Sequence, residues 1–188
     1  VKNVDAILGE IERLAGIAQS FSKYGAPGGE DEIPVGQVYL HEIVDDVMAL
    51  YGGGSSTIAL FEQQIALDLP PVRARASELK EVLINLLENA RVAVTGGGIV
   101  RILGNEINGR VVLAVVDDGT GIPKELLPRI FEPQFSTRST GAGLGLPIVK
   151  RIVESWGGTV EVDSATGQGT TVSVFLGLWT GTSDTEVG

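Results

Sequence analysis

A chain of 188 residues, 43% apolar and 20% charged, has ordinary globular composition and is long enough for one domain with an appendage. The net charge of -10 argues against a nucleic-acid binder, which takes clustered Lys and Arg, but leaves room for one bound nucleotide, which takes only local donors. There is no cysteine and His41 is the single histidine, which excludes disulfides, thiolate catalysis and Cys-based zinc sites and argues against a multi-histidine metal site or a Ser-His triad.

Apolar residues at Val4, Leu8, Ile11, Leu14 or Ala15, Ala18 and Phe21 predict a helix over residues 1–24, with a seam suited to a partner helix. Residues 25–34 (GAPGGEDEIP) read as a linker. VGQVYL alternates like a strand, LHEIVDDVMALYG follows as a helix, and residues 52–71 hold a Gly turn and one or two short strands. RARASELKEVLINLLENARVAV is the clearest helix, with an apolar stripe of Leu79, Val82, Leu83, Leu86 and Ala90. Two strands, IVRILG and RVVLAVVDD, flank a turn at Asn108-Gly109, and DGTGIP is a further turn. Residues 124–142 are loop-like with short helical pieces. LGLPIVKRIVESWGG is a helix with Pro147 in its first turns and glycines closing it. TVEVDS and GQGTTVSVFLGL form a final hairpin, and residues 179–188 a frayed tail. No apolar run reaches the ~20 residues of a membrane span and no signal peptide is visible. The chain opens on Val1 rather than Met and reads as an excised piece. Segregated helices and antiparallel strands predict an α+β sandwich with helices on one sheet face.

Four short motifs carry chemistry. In NLLENA, Asn85 and Asn89 are four apart and share one helix face, about a quarter turn from the apolar stripe. Asparagine ranks low in helix propensity, so two beside a core stripe ask for a reason. An amide oxygen can ligate Mg²⁺, which also takes waters and phosphate oxygens; the plain alternative is a solvated helix edge. In DDGTGIP, Asp117 ends a strand while Gly119 and Gly121 let the backbone approach a flat ligand. A carboxylate there can accept from an exocyclic amine such as adenine N6, and the alternative is a plain turn. In IFEPQFSTR, Phe131 and Phe135 are apolar anchors and Arg138 is a cation able to reach a terminal phosphate; the alternative is a pinned surface loop. In GAGLGLPIVK, Gly141, Gly143 and Gly145 precede or open a helix whose N-terminus offers N–H groups to an anion. A loop precedes it and no βαβ unit surrounds it, so it is not the dinucleotide fingerprint. Nor is it a Walker A loop, since no Gly-Lys-Ser/Thr follows.

The ordered run NLLENA, DDGTGIP, IFEPQFST, GAGLGLPIVK and GQGTTVSVF resembles the ATP-binding domain of bacterial sensor histidine kinases, in the superfamily that also holds gyrase and MutL. The resemblance covers about residues 35–178, and residues 1–24 resemble the second helix of the dimerisation hairpin. It implies an α+β fold, a two-layer α/β sandwich of the Bergerat type preceded by that one helix, with ATP and Mg²⁺ as cofactors. Asn89 matches the Mg²⁺-binding asparagine and Asn85 its companion one turn earlier, which is also assigned to catalysis. Arg138, assigned to catalysis too, stands where a basic lid residue often contacts the γ-phosphate. Asp117 matches the aspartate that reads the adenine amine, with Gly119, Gly121 and Ile122 in the same box. Phe131, Phe135 and Thr137 fall in the aromatic box beside the ATP lid. Gly141, Gly143, Leu144, Gly145 and Leu146 match the phosphate-side glycine box. Gly167, Gly169 and Thr170 match the last glycine box, near the adenine.

Several positions depart from the pattern. Gln134 sits where a second Phe is usual, Trp156 replaces a frequent His, Arg75 sits where an Asp often precedes the N-box helix, and Arg91 is offset from the basic N-box position. His41-Glu42-Ile43 resembles the start of a phosphoacceptor box, but it lacks the following Pro, comes after the linker and stands only 44 residues before Asn85. His41 therefore reads as a helix-start residue, with the acceptor histidine expected upstream of Val1. The implied reaction is transfer of the ATP γ-phosphoryl group to that histidine. Implied partners are a cognate response regulator and a second copy joined through the dimerisation helices, with no nucleic-acid or membrane contact by this portion, which is expected in the cytoplasm. Two alternatives stand beside it: a gyrase- or MutL-like ATP-hydrolysing domain, and a non-catalytic nucleotide-sensing dimerisation module. The hydrolytic relatives typically carry a water-activating Glu where this chain has Asn85, and an amide cannot serve as a general base at pH 7, which favours the kinase.

Overall fold

The computed structural model describes residues 34–51, 59–94, 97–133 and 144–181. All of them lie in one unit that begins at Pro34. The expected helix over residues 1–24 and all but the last residue of the expected linker fall outside the described residues.

The strands are β1 (Gly36–Val38), β2 (Ala59–Ile65), β3 (Val72–Ala74), β4 (Gly98–Ile107), β5 (Arg110–Asp117), β6 (Thr159–Ser164) and β7 (Thr170–Gly177). The helices are α1 (Leu40–Tyr51), α2 (Ala76–Ala93) and α3 (Gly145–Ser155), with a 3₁₀ turn at Leu127–Arg129. Five strands form one sheet in the order β2-β4-β5-β7-β6, and β1 pairs with β3 in a small second sheet. The sheet is mixed where the sequence suggested only antiparallel strands. β2 and β4 run parallel, because the chain returns to the sheet through β3 and α2 and so enters β4 in the direction in which it left β2.

Two of the boundary differences have a plain physical reason. The long helix starts at Ala76 rather than Arg73, since Val72 and Ala74 alternate, buried, with Arg73 and pair with β1 as a strand. Arg75 keeps extended backbone (φ -102°, ψ 122°) and ends that strand before the helix opens. The strand after it runs to Ile107, three residues past the expected end, so Ile107 and Arg110 pair directly across a two-residue loop. Asn108 (φ 52°) and Gly109 (φ 73°) both adopt left-handed backbone, the requirement of the tight hairpin turn that matches strand twist.

The core lies between the sheet and the three helices. Val111, Leu113 and Val115 of β5 alternate inward and meet Leu176, Val174 and Val172 of β7 across the ladder. From the helix layer come Leu40, Ile43, Val44 and Val47 of α1, Leu79, Val82, Leu83, Leu86 and Leu87 of α2, and Ile148, Val149, Ile152 and Val153 of α3. Each such side chain contributes about 1.5–3 kcal/mol of burial, which fixes the helices on one face of the sheet. The outer face is wetter; Glu62 and Arg101, opposite each other on β2 and β4, form an exposed ion pair at 3.0 Å.

Candidate functional site

Helix α2 carries both ends of the site. Its Leu86, Leu87 and Ala90 are buried in the core, which leaves Asn85 and Asn89 half-buried on a flank that faces the start of α3. Asn85 donates from Nδ2 to the Glu81 carbonyl one turn back (2.9 Å), so its amide nitrogen is engaged within the helix. A Cβ on Gly145, the first residue of α3, would stand 3.2 Å from Asn85 Oδ1 and 3.3 Å from the buried Nδ2 of Asn89. The glycine thus lets the N-terminus of α3 seat directly against both amides. The first-turn N–H groups of a helix have no partner within it and sit at the positive end of its dipole. Leu144 provides no side-chain cap there, and it and Leu146 pack against the core.

The second end is built around Asp117 and Thr170. They are the two buried polar or charged residues among the described residues, and they face each other across β5 and β7. Asp117 Oδ1 accepts the Gly119 N–H at 2.9 Å, which fixes the carboxylate. Gly119 lies flat on the end of α2, since a Cβ there would meet the Ala93 carbonyl at 2.5 Å; the adjacent Thr120 N–H donates to the same carbonyl at 3.1 Å. Gly121 (φ 67°) and Gly169 (φ 80°) leave no room for a side chain, because a Cβ would be driven into the Ala165 and Asp117 carbonyls. Gly167 N–H closes the turn onto the Thr120 carbonyl at 2.8 Å.

Ser164, which no motif singled out, joins these pieces. It accepts from the Ile122 N–H and donates to the Gly169 carbonyl, both at 2.8 Å. With its one proton so committed, the Thr170 hydroxyl is the donor in their 3.0 Å contact. The only sequence signal for Ser164 is its position at the end of β6, in register with Thr170.

The structure therefore gathers Asn85, Asn89, Leu144, Gly145 and Leu146 at one end and Asp117, Gly119, Gly121, Ile122 and Thr170 at the other, along a single helix. Asn89 and Ala93 are one turn apart on α2, about 6 Å. Phe131 is half-buried beside α3, with Lys150 Nζ 5.2 Å from its ring centre. Phe135, Thr137, Arg138, Gly141 and Gly143 lie outside the described residues.

Arg91 turns to a different partner. Its Nη2 and Nε donate to Glu88 Oε2 at 2.6 and 3.0 Å, and the Tyr51 hydroxyl donates to Glu88 Oε1 at 2.9 Å. Burial, reinforced by the Glu88 charge, pushes the Tyr51 hydroxyl well above its ordinary range. The hydrogen bond to Glu88 raises the Arg91 guanidinium further. His41 is the exposed second residue of α1, its ring 5.8 Å from that of Tyr39, as expected of a helix-start residue.

Among the described residues no group of three or more His, Asp or Glu could hold a metal ion, and no described helix is long and apolar enough to cross a membrane.

Residues 74–180 match the family model described as "Histidine kinase-, DNA gyrase B-, and HSP90-like ATPase". The sensor histidine kinase ZraS of Klebsiella oxytoca is 37% identical over 143 residues, covering 74% of this chain and 30% of that protein. Full-length ShkA, solved in complex with AMPPNP, superposes with a TM-score of 0.70 at 28% identity, covering 85% of this chain and 34% of that one. Histidine kinase ThkA, solved in complex with the response regulator protein TrrA, superposes with a TM-score of 0.72 at 25% identity, covering 93% of this chain and 50% of that one. The chain spans 23% to 49% of the length of three of the curated relatives it matches. With the matched region running from β3 to the end of the last strand, the chain belongs to the histidine kinase-, DNA gyrase B- and HSP90-like ATPase family, as the ATP-binding catalytic domain of a sensor histidine kinase.

Proposed function

We propose that this domain binds ATP with its base at Asp117 and Thr170 and its phosphates at Asn85, Asn89 and the first turn of α3, and serves transfer of the γ-phosphoryl group to a histidine other than His41. The observation that supports this reading most is the seating of Gly145 against both asparagines. It sets two amide side chains beside a helix N-terminus, the arrangement that favours phosphate oxygens.

Asp117, its plane fixed by the Gly119 N–H, accepts the exocyclic amine of the base, and Gly119 and Gly121, pressed onto the Ala93 and Ala165 carbonyls, hold the turn that carries it. The donor set fits a hard cation. Asn85 and Asn89 bring amide oxygens to the helix N-terminus, and a Mg²⁺ held there would draw its remaining ligands from water and phosphate oxygens. When bound, Mg²⁺ offsets charge on the phosphate oxygens of ATP, the phosphoryl donor. Asn89 is the proposed metal ligand, Asn85 orients it from one turn earlier, and Arg138 is the proposed cation for the terminal phosphate. Asn85 cannot abstract a proton from water, and the nearby Glu88 is held by Tyr51 and Arg91, so hydrolysis lacks its base at this position. A cognate response regulator, a second copy joined through residues 1–24, and a cytoplasmic position complete the reading; the ThkA–TrrA complex supports the first of these.

The test is titration of the purified chain with Mg²⁺·AMP-PNP, followed by incubation with labelled ATP. Saturable binding, its loss in Asn89→Ala, and no acid-labile label on the chain are expected. Phosphohistidine at His41 overturns the acceptor assignment, and steady ATP turnover without an acceptor overturns the kinase in favour of the hydrolytic relatives.

A further inference from the structure

The two departures from the family pattern at Arg75 and Trp156 meet on one carboxylate. Trp156 Nε1 donates to Glu78 Oε2 at 2.9 Å, and Arg75 Nη1 donates to the same oxygen at 3.3 Å. Trp156 is 3% exposed, and Glu78 lies in the first turn of α2. The indole therefore stands at the opposite end of α3 from Gly145, which meets Asn85 and Asn89 further along α2. The two helices run antiparallel, held at one end by an indole–carboxylate bond and touching at the other through the phosphate end of the site.

The C-terminus of α3 has little slack. Gly158 N–H donates to the Val153 carbonyl and Gly157 N–H to the Glu154 carbonyl, each at 3.0 Å, with Gly157 at φ 76°. This paired closure fixes the last turn. Arg73 Nη1, from β3, donates to the Trp156 carbonyl at 3.2 Å. An α-helix is stiff along its axis, and α3 spans only about 16 Å, so fixing one end sets the other.

We propose that Trp156 and Glu78 are positioning residues for nucleotide binding: their bond sets where α3 stops along α2, and thereby how closely Gly145 and its first-turn N–H groups approach Asn85 and Asn89. This rests on the ATP reading above and deepens it. The base end does not depend on the latch, since Asp117 and Thr170 are held by strand pairing within the sheet.

The test compares wild type, Trp156→Phe, Glu78→Ala and Glu78→Gln in titrations with Mg²⁺·AMP-PNP and, separately, with adenosine. Trp156→Phe keeps the ring and loses the donor, Glu78→Ala loses the acceptor, and Glu78→Gln keeps an acceptor oxygen. Trp156→Phe and Glu78→Ala are expected to weaken AMP-PNP binding about fivefold to tenfold, less than the full worth of a hydrogen bond to a charged group because the bond acts on the site only through α3, while Glu78→Gln stays within about twofold. Adenosine affinity should hold in all three. AMP-PNP affinity within twofold of wild type in both Trp156→Phe and Glu78→Ala overturns the proposal, as does an equal loss for adenosine, the mark of general loosening. Failure of the wild-type chain itself to bind Mg²⁺·AMP-PNP overturns the ATP reading and the latch together, and is distinguished by needing no variant.

Discussion

Gly145 opens α3 so close to α2 that a methyl group on it would stand 3.2 Å from Asn85 Oδ1 and 3.3 Å from Asn89 Nδ2. This contact ties the two asparagines to the start of α3, although Gly145 lies 60 positions after Asn85 in the chain.

Gly145→Ala tests that contact. The added methyl forces the amides aside by a few tenths of an ångström, since the neighbours are side chains rather than backbone. Affinity for Mg²⁺·AMP-PNP should fall about tenfold, while thermal stability changes by less than about 1 kcal/mol, alanine being the better helix former. Calorimetric titration beside a melting curve separates the two effects, and unchanged affinity would falsify the placement of phosphate at this turn.

Asp117→Asn tests the base end. Asparagine keeps an oxygen for the Gly119 N–H, so the turn survives, but its amide can present a donor to the base. Loss of a charge-assisted hydrogen bond costs about 1.5–3 kcal/mol, a tenfold to hundredfold drop in ATP affinity. Preference for ATP over GTP should shrink with it. Competition binding with both nucleotides reads the outcome, and a variant that still prefers ATP as strongly as wild type contradicts the assignment.

Gly169→Ala is expected to act on the fold. Gly169 holds φ 80°, and a Cβ would be driven into the Asp117 carbonyl. Positive φ in a residue with a side chain costs about 1–2 kcal/mol even before that collision, so urea unfolding should shift by at least this much. A stability equal to wild type would mean that β7 and Asp117 are not so closely apposed.

Tyr51 predicts a pH dependence. Its hydroxyl is raised above the ordinary value of 10.0 by burial and by Glu88, so the folded chain holds this proton more tightly than the unfolded one. Above pH 10 the unfolded state releases it first, and stability falls as pH rises; below pH 10 the bond contributes in full. Denaturation across about pH 9 to 11.5 should show a steeper decline for wild type than for Tyr51→Phe. Parallel curves would remove Tyr51 from the account.

Much of the site was legible because its residues break local rules. Two asparagines beside a core stripe and glycines crowded at strand ends are costly unless something uses them, and their order along the chain is specific. The helix-sheet sandwich was legible from periodicity. The parallel β2–β4 pair was not, since strand direction depends on the path between strands rather than on the residues within them. β3 merges in sequence with the helix that follows, because three residues are too short a run to display alternation. Ser164 and the Glu78–Trp156 bond went unseen for a different reason. Each joins segments distant in sequence through ordinary residue types, with nothing local to betray them.

Asp117 closes the middle strand of five, paired to Val100 on one side and Thr170 on the other. In the proposed reading the base is thus held by the central strand of the sheet, whereas the phosphates depend on how one short helix leans against another. On that reading, substitutions along α3 alter the grip on the phosphates and leave the choice of base alone, whereas a change of base has to be made in the sheet itself.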